Sequence, residues 1–290
     1  VKTDARVISA KAGLGVKFGL LALICPVLFL ACDDGGGKNG LNLNYKEPMV
    51  WGLLSKVKDV EWIVSYEQNF QVFDYDGLRM VPVVLMNGKQ VEATSYSPVS
   101  YEYGDTNVIP TNQKYELEVQ HYWGTGFCHL VMPGDFALIV PSDTHTLAQG
   151  ASLASTWRAS RGAQWYWLSI YVNYDYYDTL GTWDNLVFRL DTLMHDTFIS
   201  VPSEQVFPPV VGQVIEGDAS VTVWSGNGPP VEPGDLGNIR GTAVGFVNAI
   251  NEPPAKYFYV GAPSPFRRAP DGRSEFERFK ARLRSRMPNH

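Results

Sequence analysis

Three cysteines in 290 residues cannot supply the disulfide framework on which many small secreted domains rest. Charge is sparse too: only 19% of residues are Asp, Glu, Lys or Arg, and 24 basic against 30 acidic side chains leave a net −6. That balance excludes a polybasic nucleic-acid binder and a disordered polyelectrolyte. No apolar run reaches the ~20 residues of a comfortable membrane-spanning helix; the longest, Phe18 to Cys32, is shorter. Glycine and proline occur without a triplet period, so the chain is not collagen-like. The sequence contains no Gly-x-Ser-x-Gly elbow and no His-Glu-x-x-His, the signatures of common hydrolases. Gly35-Gly36-Gly37-Lys38 has neither a strand before it nor a helix after it, so it is no phosphate loop. What is abundant is apolar and aromatic: 45% hydrophobic residues and 13% Phe, Trp and Tyr, enough for one or two ordinary cores.

The amino terminus has the pattern of an export signal. Lys2, Arg6, Lys11 and Lys17 precede the apolar run, which ends Leu28-Phe29-Leu30-Ala31-Cys32 and gives way to Asp33-Asp34-Gly35. A basic region, a short apolar stretch and a small residue at the cut point describe such a segment; an ordinary cleaved signal or an uncleaved anchor fits the same pattern. The run into Cys32 resembles the cleavage and lipidation site of bacterial lipoproteins. That resemblance implies a signal peptide over 1–31, Cys32 joined to membrane lipid, and a protein anchored in the bacterial cell envelope, facing the periplasm or the cell exterior. Cys25 would leave with the signal and Cys128 would remain as a lone, buried thiol. Residues 32–49, rich in Gly, Asn and Asp, read as a flexible tether.

From there the pattern is short and of period two. Val60, Trp62, Val64 and Tyr66 share one parity, as do Tyr115, Leu117, Val119, His121 and Trp123, the mark of half-buried strands. Asn87-Gly88 between apolar runs predicts a hairpin. A second block carries Leu153, Ser155 and Trp157, the long candidate Trp165 to Tyr174, and Ala219 to Trp224. Regular short strands punctuated by Gly, Pro and Asp argue for an all-β chain of sandwiches rather than βαβ units, divided as 50–134 and 135–260. Leu153 to Val172, with Trp157, a turn at Gly162-Ala163 and Tyr166 leading a strand, resembles the B–C hairpin of fibronectin type III domains. The stretch from Asn87-Gly88 through Lys114–Val119 to Met132-Pro133 resembles the immunoglobulin-like part of bacterial outer-envelope lipoproteins. These resemblances imply two immunoglobulin-like or fibronectin III-like β-sandwich domains, with Trp157 and Tyr166 in a core, and they transfer no catalytic residues.

Residues 261–290 change character. Between positions 33 and 260 there are 12 basic and 26 acidic residues, whereas the tail has eight basic and three acidic. Ser274-Glu275-Phe276-Glu277 has capping-box spacing, and Phe276, Phe279, Leu283 and Met287 recur at helical intervals. A short basic amphipathic helix is expected there. It suits docking onto the acidic body of the chain, contact with an anionic surface, or a solvated tail.

Eight aromatics fall between Trp165 and Trp183. Period two assigns Tyr166, Leu168, Ile170, Val172, Tyr174 and Tyr176 to a core face and Trp165, Trp167, Ser169, Tyr171 and Asn173 to the other. Open to solvent, Trp165, Trp167, Tyr171 and Asn173 would form a rigid amphipathic platform for a glycan or an envelope protein; alternatively the other domain or the tail helix covers them. Metal chemistry is thinly supported. Cys128 and His129 point to opposite sides of a strand, so they cannot converge with His121, and Asn173, Asp175 and Asp178 lack the ladder of a calcium loop. Carboxylate pairs such as Asp175/Asp178 or Glu116/Glu118 can be posed for glycoside hydrolysis, but Glu116 and Glu118 fall on the polar face of a strand, where Glu is the ordinary residue. The expectation is a non-catalytic binding or structural protein with no cofactor, no metal and no nucleic-acid partner; a carbohydrate-active envelope hydrolase is the alternative.

Overall fold

The computed structural model describes residues 47–60, 63–73, 80–97, 100–142, 145–229 and 237–261. The expected signal segment, Cys32, the expected tether up to position 46 and the helix expected in the tail lie outside the described residues. The strands run in order β1 (Met49–Val60), β2 (Ile63–Phe73), β3 (Val83–Met86), β4 (Lys89–Val91), β5 (Ala93–Ser97), β6 (Ser100–Asp105), β7 (Lys114–His121), β8 (Gly124–Val131) and β9 (Leu138–Val140). Then follow β10 (Thr146–Leu147), β11 (Leu153–Trp157), β12 (Trp165–Asp178), β13 (Trp183–Met194) and β14 (Phe198–Val201). After one short helix, α1 (Ser203–Val206), come β15 (Val211–Asn227), β16 (Arg240–Gly241), β17 (Val244–Glu252) and β18 (Lys256–Val260).

These strands form three sheets. A ten-stranded sheet runs β10-β18-β15-β17-β1-β2-β6-β5, with β12 on the other edge of β15 and β13 beyond β12. A three-stranded sheet, β14-β11-β9, packs against one part of it and a five-stranded sheet, β16-β8-β7-β3-β4, against the other. Each contact is a sandwich core of alternating inward side chains. In one, Leu168, Ile170 and Val172 of β12, Val221 and Val223 of β15 and Phe258 of β18 meet Leu153 and Trp157 of β11. In the other, Val50 and Leu54 of β1 and Phe70 and Val72 of β2 meet Leu117 and Val119 of β7 and Leu130 of β8. The described residues are thus almost entirely β, with two sandwich cores built on one shared sheet.

The two cores are not two consecutive stretches of sequence. One core takes residues up to Met132 and the other begins at Leu138, but the first also takes Ile239, Ala243, Val247 and Ala249 from much later in the chain. β17 makes this connection. It pairs in parallel with β1 from Met49↔Val244 to Val57↔Glu252 and antiparallel with β15 at Ser225↔Asn251 to Asn227↔Ala249. Its sequence, Val-Gly-Phe-Val-Asn-Ala-Ile-Asn-Glu, is apolar except for Asn248, Asn251 and Glu252, and residues 245–251 are buried without alternation, as a strand covered on both faces requires.

Local signals translate into structure where the turn chemistry is explicit. Asn87 and Gly88 both take positive φ, 51° and 74°, in the two-residue β3–β4 turn, the conformation that Asn-Gly favours. Trp157 and Tyr166 lie in the same core with their rings 5.6 Å apart, edge to face, and the Tyr166 hydroxyl accepts a hydrogen bond from the Ser160 amide. Two alternating runs do not coincide with single strands. Val60 pairs antiparallel with Ile63, so the run Val60 to Tyr66 is divided between β1 and β2. β7 ends at His121, which pairs with Gly124 across a two-residue turn; Trp123 belongs to that turn, and its amide donates to His121 Nδ1.

Candidate functional site

The long strand β12 is the centre of the site. Its even positions from Leu168 to Tyr176 are buried in the core, which leaves its odd positions on the outward face. Register carries that face across the neighbouring strands. Trp167 stands opposite Trp224, Tyr171 opposite Ser220, Asn173 opposite Asp218 and Asp175 opposite Glu216 on β15. On β13 the partners are Leu193, Arg189, Val187 and Asn185, and Tyr177 stands opposite Trp183. Beyond β15, Ser220 and Asp218 pair with Tyr257 and Tyr259 of β18. The result is one face of four strands that mixes indole and phenol rings with amides and carboxylates.

Trp165 does not contribute to this face, although its parity matches. It is only 7% exposed, its Nε1–H donates to the Gly228 carbonyl at 2.7 Å, and its ring lies over Gly226, where any side chain would collide with it. The ring is committed to the junction of β12, β15 and the following loop. Trp167 is half-buried, Tyr171 is 39% exposed and Asn173 is half-buried. Of the four expected platform residues, three share the outward face and Trp165 is withdrawn from it. Trp224 should be added. Its Nε1–H donates to Glu252 Oε2 at 2.5 Å, which fixes the indole edge and leaves the ring as the outward element of β15. The alternation Ser220, Thr222, Trp224 already marked it in the sequence, but only the β12–β15 register shows that it neighbours Trp167.

The polar part of the face is organised by Asn185. Its Nδ2 donates to Asn173 Oδ1 at 3.0 Å and to Asp175 Oδ1 at 2.8 Å. Arg189 Nε pairs with Asp191 Oδ2 at 2.5 Å. Asp175 stands opposite Glu216 on the adjacent strand, with the Asn185 amide donating to it from the other side. On the buried side, Tyr176 is pushed above its ordinary pKa by burial, reinforced by the Asp184 carboxylate beside it, so it remains a neutral phenol. Tyr174 is likewise raised by burial, and its hydroxyl donates to the Val206 carbonyl at 2.7 Å.

The other candidates do not assemble. Asp178 Oδ1 accepts from the Leu180 and Thr182 amides, so it shapes the β12–β13 turn rather than joining Asp175. Cys128 is buried while His129 is exposed on the opposite face, and burial pushes the Cys128 thiol up to about 12, which keeps it an inert small hydrophobe. His121 Nε2 lies 3.1 Å from Thr242 Oγ1. Among the described residues, no group of three His, Cys, Asp or Glu side chains is placed to hold a metal ion. Glu116 is exposed on β7, and Glu118 accepts from Gln120 Nε2 at 2.9 Å.

No protein-family model and no curated protein matches the sequence. Among solved structures, the fibronectin(III)-like modules of Clostridium thermocellum CbhA align with 76% of this chain and 100% of that chain, at 9% identity and a TM-score of 0.25.

Proposed function

We propose that the chain is a non-catalytic binding protein of the bacterial envelope, of immunoglobulin-like or fibronectin III-like kinship, that presents the outward face of β13-β12-β15-β18 to a glycan. The observation that supports this is the register that sets Trp167 beside Trp224, with Tyr171 and the amide-carboxylate row of Asn173, Asp175 and Asn185 along the same strands. Indole and phenol rings offer an apolar plane for a sugar ring at little entropic cost, and the flanking polar groups match its hydroxyls. Hydrolysis fits less well. A glycosidase needs two carboxyl groups flanking the scissile bond, whereas Asp175 and Glu216 rise side by side from one face and Asp178 is held in a turn.

A glycan-array screen of the protein tests the reading. Trp167→Ala and Trp224→Ala are each expected to weaken retention of the selected glycan about tenfold, with unchanged secondary structure. An array that retains nothing, or binding indifferent to both substitutions, would remove the platform; binding only to an envelope protein would replace the glycan by that partner. On the same proposal the Cys32 thiol carries the lipid that fixes the protein to the membrane. Cys32→Ser is then expected to move the protein from the membrane to the soluble fraction, and unchanged membrane retention would exclude the anchor.

A further inference from the structure

The ten-stranded sheet ends on one side in a long strand with an open edge. Among the described residues β13 pairs with β12 alone, in unbroken register from Tyr166↔Met194 to Tyr177↔Trp183. Sheet edges are commonly blunted by shortness, bulges, proline or lysine. The other terminal strands of this sheet follow that rule: β10 has two residues, and β5 shifts register between Ala93 and Ser95. β13 is twelve residues long and contains no Gly, Pro or Lys. The hairpin sets the direction of its main-chain groups. The Asp178 amide donates to the Thr182 carbonyl at 2.8 Å, and hydrogen-bonded pairs alternate along an antiparallel ladder. The even residues from Asp184 to Met194 therefore face β12, while Val187, Arg189, Asp191 and Leu193 turn their N–H and C=O groups to the open edge. Local side chains agree with this parity: the Asn185 amide donates to Asp184 Oδ1 at 2.8 Å, and the Leu193 carbonyl accepts from the Thr192 hydroxyl at 3.4 Å.

We propose that β13 pairs antiparallel with β13 of a second copy, about a two-fold axis through Leu190. Parity and charge select this register. Two open edges join only where odd residues stand opposite odd residues, which places the axis through a single residue. An axis through Arg189 or Asp191 would set each of these charges against its own copy, which works against a sheet. An axis through Phe188 or Thr192 would leave both charges facing neutral residues or His195. Through Leu190, Arg189 stands opposite the partner's Asp191, and Asp191 opposite the partner's Arg189. Arg189 already holds its own Asp191 through Nε at 2.5 Å, and its side chain is 62% exposed, so its Nη groups can serve the second carboxylate. The same register closes the rim of the core. Leu186, Phe188, Leu190 and Met194 are only partly buried against it; Leu190 meets its counterpart, and Leu186 meets the partner's Met194. A two-fold axis normal to the sheet keeps each face on its own side, so the outward faces of the two copies become one. The consequence, that one extended glycan engages two platforms and gains by avidity, rests on the reading of this face as a binding platform; the pairing itself does not.

Sedimentation velocity of the full chain tests the pairing. The expected species is a reversible dimer of twice the 32.3 kDa chain. Arg189→Asp sets carboxylate against carboxylate and is expected to raise the dimer dissociation constant about tenfold. Arg189→Asp/Asp191→Arg rebuilds the alternating charges and is expected to return it to within about twofold of the parent. Leu190→Cys locates the register. A non-hydrogen-bonded antiparallel pair holds its Cα atoms about 4.5 Å apart, within disulfide range, so mild oxidation is expected to link position 190 of one copy to position 190 of the other. A full chain that stays monomeric, a dimer indifferent to Arg189→Asp, or a thiol at position 190 that links only to Cys25, Cys32 or Cys128 would each overturn the proposal. So would a double swap that leaves the dimer broken with unchanged circular dichroism, or an edge that accepts a strand of a different protein and no second copy. A dimer linked at position 190 together with an empty glycan array would keep the pairing and remove the platform.

Discussion

Replacing Gly245 by alanine should lower the melting temperature by about 10 °C or prevent folding, the expectation for a loss of roughly 3 kcal/mol or more in a chain of this size. Gly245 has φ of 136°, a region open to glycine and strained for any residue with a side chain. It also pairs with Val50 across the parallel β1–β17 contact, where an added Cβ would fall inside the Val50 carbonyl group. The backbone of either strand must then move, and its partner Val50 and Val247 beyond it are fully buried. Because β17 joins the two cores, the damage should be cooperative. Thermal unfolding monitored by circular dichroism decides it: a midpoint within about 2 °C of the parent would show that the pairing does not close tightly here.

Asn251→Leu should cost about 3 kcal/mol, read from the denaturant midpoint at constant m-value. Asn251 is 3% exposed, and its Nδ2 donates towards the Pro133 carbonyl at 3.2 Å, the Gly134 carbonyl at 2.9 Å and Asp135 Oδ1 at 3.0 Å. Leucine fills similar space but leaves buried carbonyls without that donor, and the loss of such a partner is the expensive direction of a hydrogen-bond exchange. Asp135 adds a pH signature. Burial pushes its pKa up, but hydrogen bonds from Lys56 and Asn251 and the charges of Lys56 and Lys58 outweigh burial and hold it below its ordinary value. A carboxylate depressed in the folded state contributes stability above its unfolded pKa and loses it as pH falls through the folded one. The gap between parent and variant should therefore narrow on acidification below the ordinary carboxylate range. A gap unchanged from pH 7 to pH 3 would detach Asp135 from the Asn251 contact.

Strands and turns that rest on neighbouring residues were legible from the sequence. The alternation along Tyr166 to Tyr176 states which side is buried, because successive side chains of any strand point to opposite faces. Asn87-Gly88 states a two-residue turn, because both residues accept positive φ. Legibility stopped where a neighbour comes from a distant part of the chain. Trp165 has the parity of Trp167, and nothing within twenty residues says that Gly226 and Gly228 draw its indole inward. Nor does the sequence around Val60 to Tyr66 announce that an alternating run is split between two strands. The parity of Trp224 could be read locally; its place beside Trp167 could not.

By itself the sequence determined the class of the protein: all-β, dependent on packing rather than disulfides, with an acidic body and a basic tail, because composition and two-residue periodicity act through local geometry. Tertiary structure alone decided that two sandwich cores share one sheet, that β17 returns from nearly two hundred residues away to pair with β1, and that the outward aromatic face is Trp167, Tyr171 and Trp224 without Trp165. The physical reason is that strand pairing is non-local. Hydrogen bonding between distant strands sets the register, and register chooses which side chains become neighbours.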